Sequence, residues 1–151
     1  MGCCGCYELT FGPAGTPSYY GGELEGEKMI VQVTNSGGDL GEKHFDIQMP
    51  GGGFGIFNGC AAPGQGNDNA NGEAQFGELY SAWGARYGGL TASSQCSGLP
   101  ASLRAGCEWR FNAFRNANNP GVFYRRVQCP AALKQKSGCW LDDDASFPVA
   151  A

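Results

Sequence analysis

Charge is scarce in this chain, and positive charge scarcer still. Only 16% of its 151 residues are charged, with ten Lys and Arg against fourteen Asp and Glu, for a formal net charge of −4. A nucleic-acid surface needs clustered positive charge to meet phosphates. The only adjacent basic pair, Arg125-Arg126, lies inside the apolar stretch VFYRRV, so no nucleic-acid partner is expected. Long apolar runs are missing too. No stretch approaches the roughly 20 residues that a bilayer-spanning helix needs, so no membrane partner is expected. Histidine occurs once, at His44.

Glycine and cysteine are plentiful instead. The 26 glycines favour turns and short strands over long helices. The eight cysteines are Cys3, Cys4, Cys6, Cys60, Cys96, Cys107, Cys129 and Cys139. An even, high count in a Gly-rich chain points to disulfides and an extracellular, secreted protein. Zinc is the competing use of CCGC, but a second CxxC is missing and one His is too few. No metal and no cofactor are expected. The length suits one domain over residues 1–151. Met1-Gly2 runs straight into CCGCYELTF with no signal-like features. This start reads as a cut inside a domain.

Alternation predicts a strand over Cys6–Phe11, and a near-continuous apolar run predicts another over Lys28–Asn35. SGGDLGEK reads as a mobile loop, and HFDIQMP as a strand broken by Pro50. The stretch GQGNDNANGEAQ is poor in apolar residues and reads as a loop, and FGELYSAW as one or two helical turns. LPASLRAGCEWRFNAFRN carries the strongest helical signals, with Pro100 near the first turn and Gly106 as an interruption. VFYRRVQC predicts a strand, and PAALKQKSGC a short helix ending at Gly138. Strands scattered among long loops suggest a small β-barrel with helical insertions.

The chemistry gathers in GGDLGEKHFD, which places Asp39, His44 and Asp46 within eight positions. Hydrolysis of a glycosidic bond needs a carboxylic acid to protonate the leaving oxygen while positive charge grows on the sugar. If Phe45 points inward, His44 and Asp46 share the opposite face, since side chains alternate along a strand. Taken alone, two solvated polar residues would explain the pair as well. Asp39 sits after two glycines, where a plain turn Asp is the simpler account. Trp83 and Tyr87 offer flat faces for sugar rings, though either could simply be packed. Asp142, Asp143 and Asp144 read as solvated terminal charge, because their spacing does not fit an EF-hand.

Taken in order, CCGCYELTF, MIVQVTNSGGDLG, HFDIQMPGGGFGIFNGC, RYGG, LRAGCEWRF, NNPGVFYRRVQCPAAL and SGCW…DD…FP closely resemble the glycoside hydrolase family 45 endoglucanases. The likeness covers nearly the whole chain except the stretches near 64–75 and 19–25. It implies a mainly β fold, a six-stranded double-psi β-barrel with long loops and short helices. It implies hydrolysis of internal β-1,4 bonds of cellulose or a related glucan, with inversion, by a monomer. Asp46 would be the general acid, Asp39 an assisting loop residue, and His44 and Tyr87 substrate-binding residues. The disulfides implied are Cys4–Cys139, Cys6–Cys129 and Cys96–Cys107.

One departure stands out. The family's general base lies in a Tyr-Trp-Asp-Cys-Cys-type motif, and that motif does not occur here. The chain is therefore expected to be an incomplete catalytic domain, short of an amino-terminal strand and weak in activity alone. Cys3 and Cys60 would lack family partners, Asn58 replaces an Asp found in some relatives, and Glu8 and Asp39 become candidate replacement bases. A non-hydrolytic wall-loosening or glucan-binding protein of the expansin or barwin type is the alternative. Those proteins resemble the family in their barrel, and expansins keep an HFD-like motif without the base.

Overall fold

The structure is a computed structural model, described for residues 2–13, 22–38, 40–53, 82–85 and 87–151. Its regular elements are β1 (Cys6–Phe11), β2 (Lys28–Gln32), α1 (Ala101–Asn112), β3 (Val122–Val127) and α2 (Ala131–Ser137), with short 3-10 turns at Gly22–Leu24, Ser93–Gly98 and Asp144–Ser146. The chain falls into two compact units, one of Met1–Ile47 with Asn119–Ala151 and one of Gln48–Asn118.

The first unit is framed by an antiparallel sheet in the order β2-β1-β3. β1 is the middle strand, and Cys6, Tyr7, Glu8, Leu9 and Phe11 are all buried. A strand covered on both faces loses the usual inside–outside alternation. The strand on β2 is shorter than Lys28–Asn35, but its pairing continues past it. Val33 N–H donates to the Gly5 carbonyl at 2.9 Å and Cys4 N–H to the Val33 carbonyl at 2.7 Å. α2 follows Pro130 and closes at Gly138, whose φ of 66° is the left-handed cap that glycine adopts most cheaply. Its Leu133 packs on the cluster of Cys6, Val127 and Cys129.

Two disulfides tie β1 and its approach to the carboxyl-terminal part of this unit. Cys6–Cys129 has its Cα atoms 5.1 Å apart, and Cys4–Cys139 5.4 Å. Closing a loop of such length removes about 4–5 kcal/mol of unfolded-chain entropy in the chain-entropy model. The second bond is nested with the first and adds less. Cys3 is an exposed free thiol. Cys60 and Asn58 lie outside the described residues.

Two buried carboxylates hold the same unit together. Glu8, 4% exposed, stands directly across the ladder from Arg125. Arg125 Nε donates to Glu8 Oε1 at 3.0 Å, Lys28 Nζ lies 3.7 Å from that oxygen, and Ala151 N–H donates to Oε2 at 2.9 Å. The Arg125 and Ala151 hydrogen bonds, helped by the charges of Arg125 and Lys28, hold the Glu8 carboxyl below its usual range despite burial. Asp144 is 2% exposed, while Asp142 and Asp143 are exposed. The expectation of three solvated carboxylates is corrected at Asp144, because the 3-10 turn it begins aims its side chain inward. It accepts from Lys134 Nζ at 2.7 Å and from Cys129 N–H at 3.0 Å, and Arg126 Nη2 lies 3.6 Å away. Burial pushes its pKa up, but Lys134, the Cys129 N–H and Arg126 together outweigh that push and hold it low.

The second unit packs α1 on the Ser93–Gly98 turn. Leu90, Cys96, Leu99 and Cys107 form its core, with Leu103 and Phe111 of α1 alongside. Leu103, Cys107 and Phe111 recur every fourth residue, so one helix face carries them. Cys96–Cys107 is bonded, with Cα atoms 5.7 Å apart. The helix runs through Gly106, where an interruption was expected. A Cβ there would stand 3.0 Å from the Pro50 ring, so glycine serves close packing rather than a break. HFDIQMP is also corrected. None of the three sheet strands pairs with it, and among the described residues it joins no ladder. Most of FGELYSAW and all of GQGNDNANGEAQ lie outside the described residues.

Arg110 is the buried polar centre of the second unit, at 7% exposure. Its Nη1 donates to the carbonyls of Gly51 (2.7 Å) and Leu90 (3.1 Å), and its Nη2 to that of Gly88. Burial lowers its pKa.

Two predictions follow from these buried groups. Glu8 and Asp144 are more acidic folded than unfolded, so each stabilises the fold above its unfolded pKa. That contribution disappears as pH falls through the folded value. Thermal unfolding should show Tm falling steeply below about pH 4, and Glu8→Gln or Asp144→Asn should flatten that fall. An unchanged acid limb in both variants would refute it. Replacing Arg110 by Leu takes the described side-chain donor from the buried Leu90 carbonyl, while Gly51 keeps the Leu90 N–H and Gly88 is exposed, so denaturant unfolding should show a loss of about 1–3 kcal/mol. Arg110→Lys should recover only part, because one ammonium does not reproduce the planar fork.

Candidate active site

The HFD segment belongs to the first unit. Lys43 has a φ of 62°, a left-handed turn that leads into His44–Met49. Exposure then alternates: His44, Asp46 and Gln48 are exposed, while Phe45, Ile47 and Met49 are half-buried. The strand-like alternation thus survives without the ladder. Phe45 points inward and leaves His44 and Asp46 on the open side. His44 Nδ1 accepts a hydrogen bond from Gly41 N–H at 3.2 Å, which restrains the ring and leaves Nε2 outward.

Phe45 meets two tyrosines. Its ring centroid lies 5.6 Å from Tyr7 and 5.2 Å from Tyr124, both edge-to-face, and the two tyrosines are 6.1 Å apart. Such pairs contribute about 0.5–1.5 kcal/mol each beyond burial. Sequence reading did not single out Tyr7 or Tyr124. They lie on one sheet face because Tyr7 pairs with Arg126 and Leu9 with Tyr124, a diagonal that only the register reveals.

Tyr87 belongs to the second unit and is 66% exposed. It forms an isolated bridge with Gly53, and its loop turns through Gly88 and Gly89 with φ of 91° and 68°. Gly89 is required twice over, for its φ and because a Cβ would strike the backbone of Gly51 and Gly52. Arg110 holds this loop through the Gly88 carbonyl, a role the sequence hinted at only by placing an Arg between Trp109 and Phe111. Trp83 is packed rather than offered to a sugar. Its indole N–H donates to the Gly53 carbonyl at 3.0 Å, and it lies against the core of its unit.

Asp39 lies outside the described residues, so Asp46 is the one expected catalytic carboxylate with a described position. Glu8 is corrected as a replacement base, since both its oxygens are already engaged. Among the described residues no group of three or more His, Cys, Asp or Glu is placed to hold a metal ion. Asp46 and His44 are both exposed, so their side chains are open to a solute from the solvent side.

Known proteins share this arrangement of sequence. The three bonded cysteine pairs are those the family resemblance implies. A Fusarium oxysporum protein is 48% identical over 147 residues, 97% of this chain and 33% of its own length. An endoglucanase of Cryptopygus antarcticus is 48% identical over 137 residues, covering 91% of this chain and 52% of the relative. The crystal structure of a cellulase from that Antarctic springtail superposes with a TM-score of 0.72 at 47% identity, over 93% of this chain and 58% of that one. The chain thus spans about half the length of these relatives, or less. Residues 1–140 match the family described as Glycosyl hydrolase family 45, and the chain belongs to that family.

Proposed function

We propose that this chain belongs to the catalytic domain of a secreted, monomeric endo-β-1,4-glucanase that cleaves internal bonds of cellulose with inversion. The observation that carries the reading is the 48% identity to an endoglucanase over 91% of the chain. The rest of its architecture would be the double-psi barrel of the family. Asp46 protonates the glycosidic oxygen as the bond to the anomeric carbon breaks. A water molecule attacks the opposite face and gives its proton to a general base. Inversion needs the two carboxyl groups about 6.5–9.5 Å apart, to leave room for that water. Asp39, on its Gly-rich loop, assists by stabilising charge, and His44 and Tyr87 contact the sugar. The exposure of Asp46 and of Tyr87 supports these roles. No Tyr-Trp-Asp-Cys-Cys segment occurs in the 151 residues, and Asp39 is the candidate base within them.

The test joins this chain to the part of the Cryptopygus antarcticus relative that the match leaves uncovered. On soluble carboxymethyl cellulose the joined protein should release reducing ends, and proton NMR of a cello-oligosaccharide digest should show the inverted anomer first. Asp46→Asn should lower turnover by orders of magnitude and leave cellulose adsorption nearly unchanged. More than about a tenth of the activity remaining, a barrier change under about 1.4 kcal/mol, would exclude Asp46 as the acid. Cellulose adsorption with no hydrolysis under any condition would favour the expansin-like alternative. Asp39→Asn should slow the joined enzyme without silencing it.

A further inference from the structure

We infer that Tyr7 and Tyr124 are positioning residues for Asp46, forming with Phe45 a three-ring seat that fixes the direction in which its carboxyl leaves the chain. This rests on the reading of Asp46 as the proton donor. A donor works only if held near its productive geometry, and a displacement of about 1 Å can cost about a hundredfold in rate. A backbone ladder usually supplies such rigidity. Among the described residues, no strand of the sheet pairs with His44–Met49. Side chains contribute to that task here.

Phe45 is the residue next to Asp46, so its ring orientation and the Asp46 backbone are coupled through one peptide unit. The ring meets Tyr7 at an interplanar angle of 63° and Tyr124 at 65°. Two edge-to-face contacts from different strands leave Phe45 little freedom to turn. Tyr7 is fixed in turn: it is 9% exposed on the central strand, with the Arg126 guanidinium 5.7 Å from its ring. On the amino-terminal side of Phe45, the Gly41 N–H restrains His44. Asp46 is therefore exposed on a segment that its neighbour anchors.

The experiment reads the Asp46 side chain directly. Three-bond couplings from its Cγ to the backbone N and C′ distinguish one χ1 rotamer from an average, measured on the full 151-residue chain. Tyr124 is 39% exposed, so its replacement should leave the fold intact. A single Asp46 rotamer is expected in the wild type and in Tyr124→Phe, which keeps the ring. Averaged couplings are expected in Tyr124→Ser and in Phe45→Leu, with those of the distant Asp142 unchanged. In the joined enzyme the same two variants should lose about ten- to a hundredfold in kcat with KM moved by less than about twofold. A single retained rotamer in both Tyr124→Ser and Phe45→Leu overturns the inference. Averaging with unchanged kcat supports the seat and removes Asp46 from the acid role.

Discussion

The Arg126 guanidinium lies between two aromatic rings, 5.7 Å from Tyr7 and 4.5 Å from Phe147, and the first unit is organised around it. It donates to the Cys6 carbonyl at 2.9 Å and faces Asp144 at 3.6 Å. One side chain thus joins the central strand, the terminal turn and the underside of Tyr7. A guanidinium suits this place because its plane stacks on rings while its edge donates hydrogen bonds. Tyr7 then passes the constraint to Phe45, and Phe45 to the segment that carries Asp46. The carboxylates that neutralise the arginines, Glu8 and Asp144, are correspondingly buried.

The second unit repeats the device with different partners. Among the described residues, Arg110 is met by no carboxylate. Three backbone carbonyls receive it instead. Gly51 and Leu90 are buried, and Gly88 belongs to the exposed turn that follows Tyr87. A loop of this composition has little apolar surface of its own to fix it. The exposed Tyr87 is presented by a loop whose rigidity is borrowed from a helix.

Much of this was legible in the sequence. The strand over Cys6–Phe11, the helix after Pro100 and the αL cap at Gly138 follow from local signals that the structure keeps. The alternation of His44, Phe45 and Asp46 was legible as well, although the ladder was not, since pairing depends on residues distant in sequence. Gly106 misled because helix propensity counts a glycine as a break, while the close approach of Pro50 is a tertiary fact. Asp144 misled because three adjacent carboxylates look alike until a 3-10 turn sorts them. The roles of Tyr7, Tyr124 and Arg110 depend on register and burial, which composition does not contain.

The central position of β1 has a consequence for biosynthesis. Its partner β3 lies more than a hundred residues further on, and Cys6 is separated from Cys129 by 123 positions. At a synthesis rate of about 5–20 residues per second, the middle strand waits many seconds for the edge that completes it. Cys96–Cys107, with a separation of 11, closes over a short loop and is free to form early. Throughout that interval Cys3, Cys4 and Cys6 are three neighbouring thiols, and the long-range partners of Cys4 and Cys6 are still unmade. Any bond formed among them before then has to be undone by thiol–disulfide exchange. An oxidising compartment that also reshuffles disulfides, and not merely one that forms them, is the environment in which this topology is efficiently assembled.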